Sequence, residues 1–244
     1  SNNILTDINE SVCNIKNLRD LELSNNKISR ICPSITKLKK LKYLHLDNNF
    51  LYSFPTFLCE MNLVCINLSY NKIRHLPPGI GNLKNLKSLL LDDNQLEEFP
   101  IELYNLTGLQ LLSAKNNKIK LINESITQMI SLEYINLDNN RSISFNNVVK
   151  EFINDIHKKF TKLNPHPHTL ISTRTFTSNS SINEIKLKPS LSSDFSKLNT
   201  EQLDNINNLI IDLFVEYLKD NEMDQIDCDE GSDLLRSDFS GKEY

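Results

Sequence analysis

The sequence predicts an α/β solenoid, with a curved parallel sheet on its concave face, an irregular or short helical convex side and a helical C-terminal extension. Three observations carry this reading. Six segments repeat the spacing L-x-x-L-x-L-x-x-N-x-L, starting at Leu18, Leu41, Leu63, Leu86, Leu109 and Leu132, so that successive starts lie 23, 22, 23, 23 and 23 residues apart. Three further apolar columns run between them in the same register: Ile8, Ile31, Phe54, Leu76, Phe99, Ile122 and Phe145; Val12, Ile35, Leu58, Ile80, Leu103, Ile126 and Val149; and Ile15, Leu38, Met61, Leu83, Leu106, Met129 and Phe152. An asparagine closes each segment, at Asn26, Asn49, Asn71, Asn94, Asn117 and Asn140. A fixed period of this length marks a stack of small structural units.

Each part of the repeat has a physical reason. The L-x-L alternation gives a short strand with its leucines on one face. One repeat cannot bury that face alone, so neighbours stack and share a core. A buried asparagine amide at the strand's end satisfies backbone groups as the chain turns away from the sheet. The prolines at Phe54–Pro55, Leu76–Pro77 and Phe99–Pro100 end the pairing and start the convex segment, where a missing N–H does no harm.

This pattern resembles the leucine-rich-repeat family, over residues 1 to about 156, and its clearest copy is LKNLKSLLLDDNQLEEFPIELYNL. The Leu-Pro and Phe-Pro steps resemble the intracellular 23-residue subclass of Ras-pathway and Scribble-like scaffolds. That resemblance implies a protein-binding module whose partners include small GTPases and phosphatase subunits.

Both ends depart from the pattern. Residues 3–17 fit only the back half of a repeat, so either upstream repeats precede them or another element covers that edge; the first residue is Ser, as in a fragment, a processed form or a trimmed chain. At the other end the leucine column fails at Ser142, with Ile143 substituting one place late. Val148, Val149, Phe152, Ile153 and Ile156 then follow helical spacing and predict a terminal helix sealing the last repeat. The predicted organisation is a solenoid with its terminal helix at 1–160, a flexible Ser/Thr/Asn-rich linker at 161–199, an amphipathic helix at 200–220 and an acidic tail at 221–244. Thr200 is the predicted N-cap of the amphipathic helix, and Leu203, Ile206, Leu209, Ile210, Leu213, Phe214, Tyr217 and Leu218 form its stripe. Such a stripe packs back on the solenoid, self-associates or binds a partner.

Composition narrows the function. The chain of 244 residues carries a formal net charge of −4, with no basic excess of the kind that draws nucleic acid. The charge is uneven: residues 201–244 hold 13 Asp and Glu against Lys219, Arg236 and Lys242, a net of −10, which leaves +6 for the first 200. Five scattered cysteines without a C-x-x-C pair predict reduced thiols and a cytoplasmic setting. No apolar run reaches the roughly 18 residues of a membrane span, and no signal peptide opens the chain.

Catalytic and metal chemistry find no motif. There is no G-x-S-x-G, phosphate loop, HExxH or kinase signature. His157, His166 and His168 lack nearby ligands at a metal spacing. The run DQIDCDEGSD fails as a calcium loop, because setting Gly231 at its sixth position puts Ile226 and Cys228 where oxygen ligands belong. The sequons at Asn9, Asn67, Asn105, Asn123 and Asn179 are read as unused. No cofactor is expected.

Repeat register then marks the outward-facing strand positions. One column reads Asp20, Tyr43, Cys65, Ser88, Leu111 and Tyr134; the next Glu22, His45, Asn67, Leu90, Ser113 and Asn136; the third Ser24, Asp47, Ser69, Asp92, Lys115 and Asp138. Register puts Leu90 and Leu111 in solvent, beside Tyr43, Tyr70 and Tyr134, with Asp47, Asp92, Asp93 and Asp138 as an acidic rim suited to a basic partner. The expected protein-binding residues are therefore Tyr43, His45, Asp47, Tyr70, Leu90, Asp92, Asp93, Leu111, Tyr134 and Asp138. The leading expectation is a non-enzymatic scaffold in intracellular signalling. A regulatory or targeting region of a larger enzyme, and a pathogen effector or viral protein acting on host proteins, are the alternatives.

Overall fold

Leu-x-Leu triplets set the sheet. In the computed structural model they form six three-residue strands: β1 (Asp20–Glu22), β2 (Tyr43–His45), β3 (Cys65–Asn67), β4 (Ser88–Leu90), β5 (Leu111–Ser113) and β6 (Tyr134–Asn136). All are parallel and lie in sequence order, each residue pairing with its equivalent one repeat on, as Leu44 with Ile66 and Ile66 with Leu89. The structure describes residues 4–8, 10–163, 215–216 and 218–219, with backbone alone at 160–163. The chain divides into two units, 1–163 and 164–244.

The predicted apolar columns build the core of the first unit. The middle residue of every strand (Leu21, Leu44, Ile66, Leu89, Leu112, Ile135) points into it and is buried, as are Leu41, Leu63, Leu86 and Leu109 just upstream. Ala114 replaces the leucine at its position and is still fully buried. On the convex side the chain returns through 3-10 turns at Val12–Asn14, Pro33–Lys37, Thr56–Glu60, Pro78–Asn82, Ile101–Asn105 and Glu124–Gln128. Proline sits where the turn's first N–H has no partner to lose: Pro33 and Pro78 open their turns, and Pro55, Pro77 and Pro100 precede theirs. These turns insert Ile35, Leu58, Ile80, Leu103 and Ile126 into the core. Neighbouring turns approach so closely that a Cβ at Gly81 would stand 2.5 Å from the Glu102 carbonyl oxygen.

The ends behave differently. Helix α1 (Asn147–Leu163) packs on β6 and on the 124–128 turn, as the predicted terminal helix does, and runs three residues past the expected boundary. Asn146 caps it by accepting the Val149 N–H at 2.9 Å. Val149 and Ile156 are buried, and His157 bonds through Nε2 to the Ile135 carbonyl at 3.0 Å, a structural role. Ile143 packs on the core in place of the missing leucine while Ser142 is exposed. At the opposite end Ile15 is 51% exposed although its counterpart Leu38 is buried. A side chain in this column is enclosed by neighbours on both sides of the stack, and the described residues supply Ile15 with one.

In the second unit, Val215, Glu216, Leu218 and Lys219 are helical, inside the predicted 200–220 helix. Val215 and Leu218 are buried and Glu216 is exposed, which adds Val215 to the apolar side. The rest of that helix, the linker, the acidic tail, His166, His168 and the Asp224–Asp233 run lie outside the described residues. Among the described residues no helix is long and apolar enough to cross a membrane.

Candidate protein-binding face

The asparagine ladder aligns this face. The Asn49 side-chain amide donates to the carbonyls of Leu23, Leu46 and Asp47 at 3.0–3.1 Å and accepts the Ile28 N–H at 2.9 Å. Asn71, Asn94, Asn117 and Asn140 repeat the arrangement, each tying its own turn to the repeat before it. Asn26 does the same with the Leu5 N–H. All six are buried. A leucine there would leave four backbone groups without partners, and an aspartate would lose the donor.

One residue earlier the backbone turns left-handed, at Asn25, Asn48, Tyr70, Asp93, Asn116 and Asn139, with φ between 52° and 59°. Asn and Asp tolerate this conformation and Tyr does not, so Tyr70 is the costly exception. Its ring is half exposed, whereas side chains on either side form a surface chain: Asn48 to Asn25 at 2.7 Å, Asn116 to Asp93 at 3.0 Å, Asn139 to Asn116 at 2.7 Å. The carboxylates of Asp93, Asp92 and Asp47, together with burial, which comes first, push the Tyr70 hydroxyl above its ordinary pKa.

Strand pairing places the predicted columns as expected: Tyr43, Cys65, Ser88, Leu111 and Tyr134 are successive partners, and so are His45, Asn67, Leu90, Ser113 and Asn136. At about 4.8 Å per strand, the Tyr43–Tyr134 row spans roughly 19 Å. None of Tyr43, Cys65, Leu90, Leu111 and Tyr134 belongs to the hydrophobic core on the other side of the sheet. The expectation of solvent exposure fails, however. Leu90 is 2% exposed, Leu111 0%, Tyr43 5% and Tyr134 7%. Alternation fixes the direction of a side chain, not what lies above it, so register alone is a poor guide to accessibility.

Polar groups on the face are withdrawn as well. Asp92 is buried, accepting from the Ser113 hydroxyl at 2.6 Å and the Lys115 N–H at 2.7 Å, and desolvation raises its pKa to about 6. Asp47 is partly buried, accepts from the Ser24 hydroxyl and the Asn67 amide, and is raised by desolvation too. Burial carries the Tyr134 hydroxyl well above its ordinary range. His45 lies 4.0 Å from Asp20, while Asp93 and Asp138 sit toward solvent. Ser88 was not singled out in the sequence; its hydroxyl is fully buried with no hydrogen-bond partner among the described residues. Lys115, Ser113 and Asn136 are also buried on this face.

A second surface escaped sequence reasoning. Lys72 Nζ stands 5.0 Å above the Phe50 ring and 5.2 Å above the Tyr52 ring, and both aromatics are exposed. The residues come from adjacent repeats, 20 and 22 apart, a spacing that only the repeat alignment makes adjacent. A cleft of about 410 Å³ at Asn116, Asn117, Asn139 and Arg141 is open and holds no nucleophile–base pair.

Comparison with known proteins agrees with the geometry. A sequence model of the leucine-rich repeat matches residues 17–38 and 62–83. No curated protein sequence matches the chain. A leucine-rich-repeat protein of Leptospira interrogans aligns at 29% identity over 61% of this chain and 38% of its own, with a TM-score of 0.58. The plant peptide hormone receptor RGFR1, solved in complex with RGF2, aligns at 33% identity over 55% of this chain and 23% of its own, with a TM-score of 0.50. The chain thus spans well under half the length of these relatives. It carries leucine-rich repeats and folds as a leucine-rich-repeat solenoid.

Proposed function

We propose that this chain is a non-enzymatic interaction module that binds a partner protein on its concave face, in cytoplasmic signalling. One observation carries the reading: the strands present Tyr43, Leu90, Leu111 and Tyr134 on the side away from the core, where packing of the solenoid has no use for them. Aromatic and leucine side chains grouped over about 19 Å form the kind of apolar centre that dominates protein interfaces. Asp93, Asp138 and Tyr70 at the strand exits supply a polar rim and favour a basic partner. The similarity to a plant peptide hormone receptor solved in complex with RGF2 lends support. The proline steps favour a scaffold of the Ras-pathway or Scribble-like type, with a small GTPase or a phosphatase subunit as partner. Among the described residues Cys13, Cys32 and Cys59 form no disulfide, in accord with a reducing compartment.

The test is a cytosolic pull-down comparing the wild-type chain with a Tyr43→Ala, Leu90→Ala, Leu111→Ala, Tyr134→Ala variant, with circular dichroism confirming that both are folded. Anchors of this type cost about 2 kcal/mol each when truncated, so the variant is expected to lose the partner entirely. Equal recovery by both proteins would sink the concave-face reading.

A further inference from the structure

We propose that the outer flank of the first three repeats, around Phe50, Tyr52 and Lys72, binds an acidic peptide segment of another protein. The concave face plays no part in this contact, so the two readings stand or fall separately.

Repeat register places the residues. Lys27, Phe50 and Lys72 each follow a ladder asparagine and form one row across neighbouring repeats. Two residues on, Ser29, Tyr52 and Arg74 form the next row. Backbone bonds hold both rows: the Phe50 N–H donates to the Ile28 carbonyl and the Lys72 N–H to the Leu51 carbonyl, each at 2.8 Å. Between the two aromatics, the Leu51 N–H donates to the Asn71 side chain at 2.9 Å. The rings therefore stand on backbone that binding has no need to order.

Phe50 is 42% exposed and Tyr52 61%, and neither belongs to the core. One exposed ring is ordinary on a protein surface. Here two share a single ammonium, with Lys72 Nζ 5.0 Å and 5.2 Å from their centroids and 3.5 Å from the Tyr52 hydroxyl. Apolar ring surface and positive charge are thus joined in one small area. The complement of such an area is a carboxylate beside an apolar side chain.

The surrounding charge points the same way. Segments 27–31, 50–54 and 72–76 hold Lys27, Arg30, Lys72 and Arg74 and not one Asp or Glu. Among the described residues none of these four cations stands in an ion pair. Arg74 donates through Nε to Gln95 at 3.3 Å, which leaves its other N–H groups for a carboxylate. The patch is also narrow. At about 4.8 Å per repeat, Lys27 and Lys72 lie roughly 10 Å apart, the reach of about three extended residues. Asp7 bounds the patch on one side and Glu97 and Glu98 on the other. A nucleic-acid backbone or an anionic membrane would run on into those carboxylates. A short peptide with two acidic residues flanking an apolar one ends before it reaches them.

The test selects a random dodecapeptide phage library on the full chain, on Lys72→Glu and on Phe50→Ser, Tyr52→Ser, with circular dichroism confirming each fold. Peptides with two acidic residues around an apolar one should be enriched on the wild type at least tenfold over either variant. A synthetic peptide of that consensus, followed by fluorescence anisotropy, should bind the Tyr43→Ala, Leu90→Ala, Leu111→Ala, Tyr134→Ala variant as tightly as the wild type. Equal enrichment on all three proteins, no enrichment, or a consensus without acidic residues would overturn the proposal. Loss of the peptide by the concave-face variant would also overturn it, by moving the site to that face. Phosphatidylserine vesicles and a thymidine oligonucleotide serve as competing ligands. If either bound the wild type more tightly than the peptide and was weakened by the same substitutions, it would replace the peptide as the occupant.

Discussion

The two faces of one sheet obey different rules. Toward the core the middle strand positions read Leu21, Leu44, Ile66, Leu89, Leu112 and Ile135, interchangeable in chemistry and all buried. Toward the concave side the flanking columns mix Asp20, Tyr43, Cys65, Ser88, Leu111 and Tyr134 with Glu22, His45, Asn67, Leu90, Ser113 and Asn136. Stacking demands uniformity, because each repeat must fit its neighbours. The other face is released from that demand and varies from strand to strand. Uniform positions report the fold, and the variable ones are where the proposed recognition lies.

Breaking the uniform face should cost most. Leu89→Ala removes a fully buried side chain between two repeats and should lower unfolding free energy by about 3 kcal/mol in urea titration. A loss below about 1 kcal/mol would mean that the stack relaxes around the gap. Next comes the ladder. Asn94→Ala strips partners from the Leu68, Leu91 and Asp92 carbonyls and the Ile73 N–H, for an expected loss of about 2 kcal/mol. Asn94→Asp should not rescue it, since a carboxylate accepts but does not donate.

The concave face should respond to pH. Asp92 titrates near 6 in the folded chain against 3.8 for the free side chain, so the native state holds its proton more tightly. Stability should therefore fall as pH rises from about 4 to about 6 and stay lowered above that, by a few kcal/mol at most. Asp92→Asn should flatten this part of the profile; a slope unchanged by the substitution would assign it to other groups. The smallest effect has the opposite sign. Tyr70→Asn relieves a left-handed tyrosine and should stabilise the chain by about 1 kcal/mol. If Tyr70 serves recognition, the same variant binds the partner less well, and a stabilised variant with undiminished binding would remove Tyr70 from the site.

The core was legible because repetition averages out local ambiguity. One L-x-L triplet is weak information; six in register fix strand direction, pairing and the buried face at once, and Asn26 to Asn140 mark where each turn closes. Of the candidate site, the columns were legible and their accessibility was not: Leu90 and Leu111 point as register says and are nonetheless buried. Ser88 was missed because a serine on a polar-tolerant face carries no signal until its hydroxyl is seen without a partner. The Lys72, Phe50 and Tyr52 group was missed because it joins side chains from two repeats through a surface that no apolar periodicity marks.

The asparagine ladder also gives the chain a direction in time. Each amide seals the turn of the repeat before its own: Asn49 receives the Ile28 N–H, Asn71 that of Leu51, Asn94 that of Ile73. A repeat emerging from the ribosome therefore cannot finish its last turn until about one further period has been synthesised. Structure forms one step behind synthesis, and every pause exposes a single unsealed turn. Among the described residues the ladder has no rung beyond Asn140, and the Ile143 N–H closes on the Asn140 carbonyl instead, so that the last step completes itself.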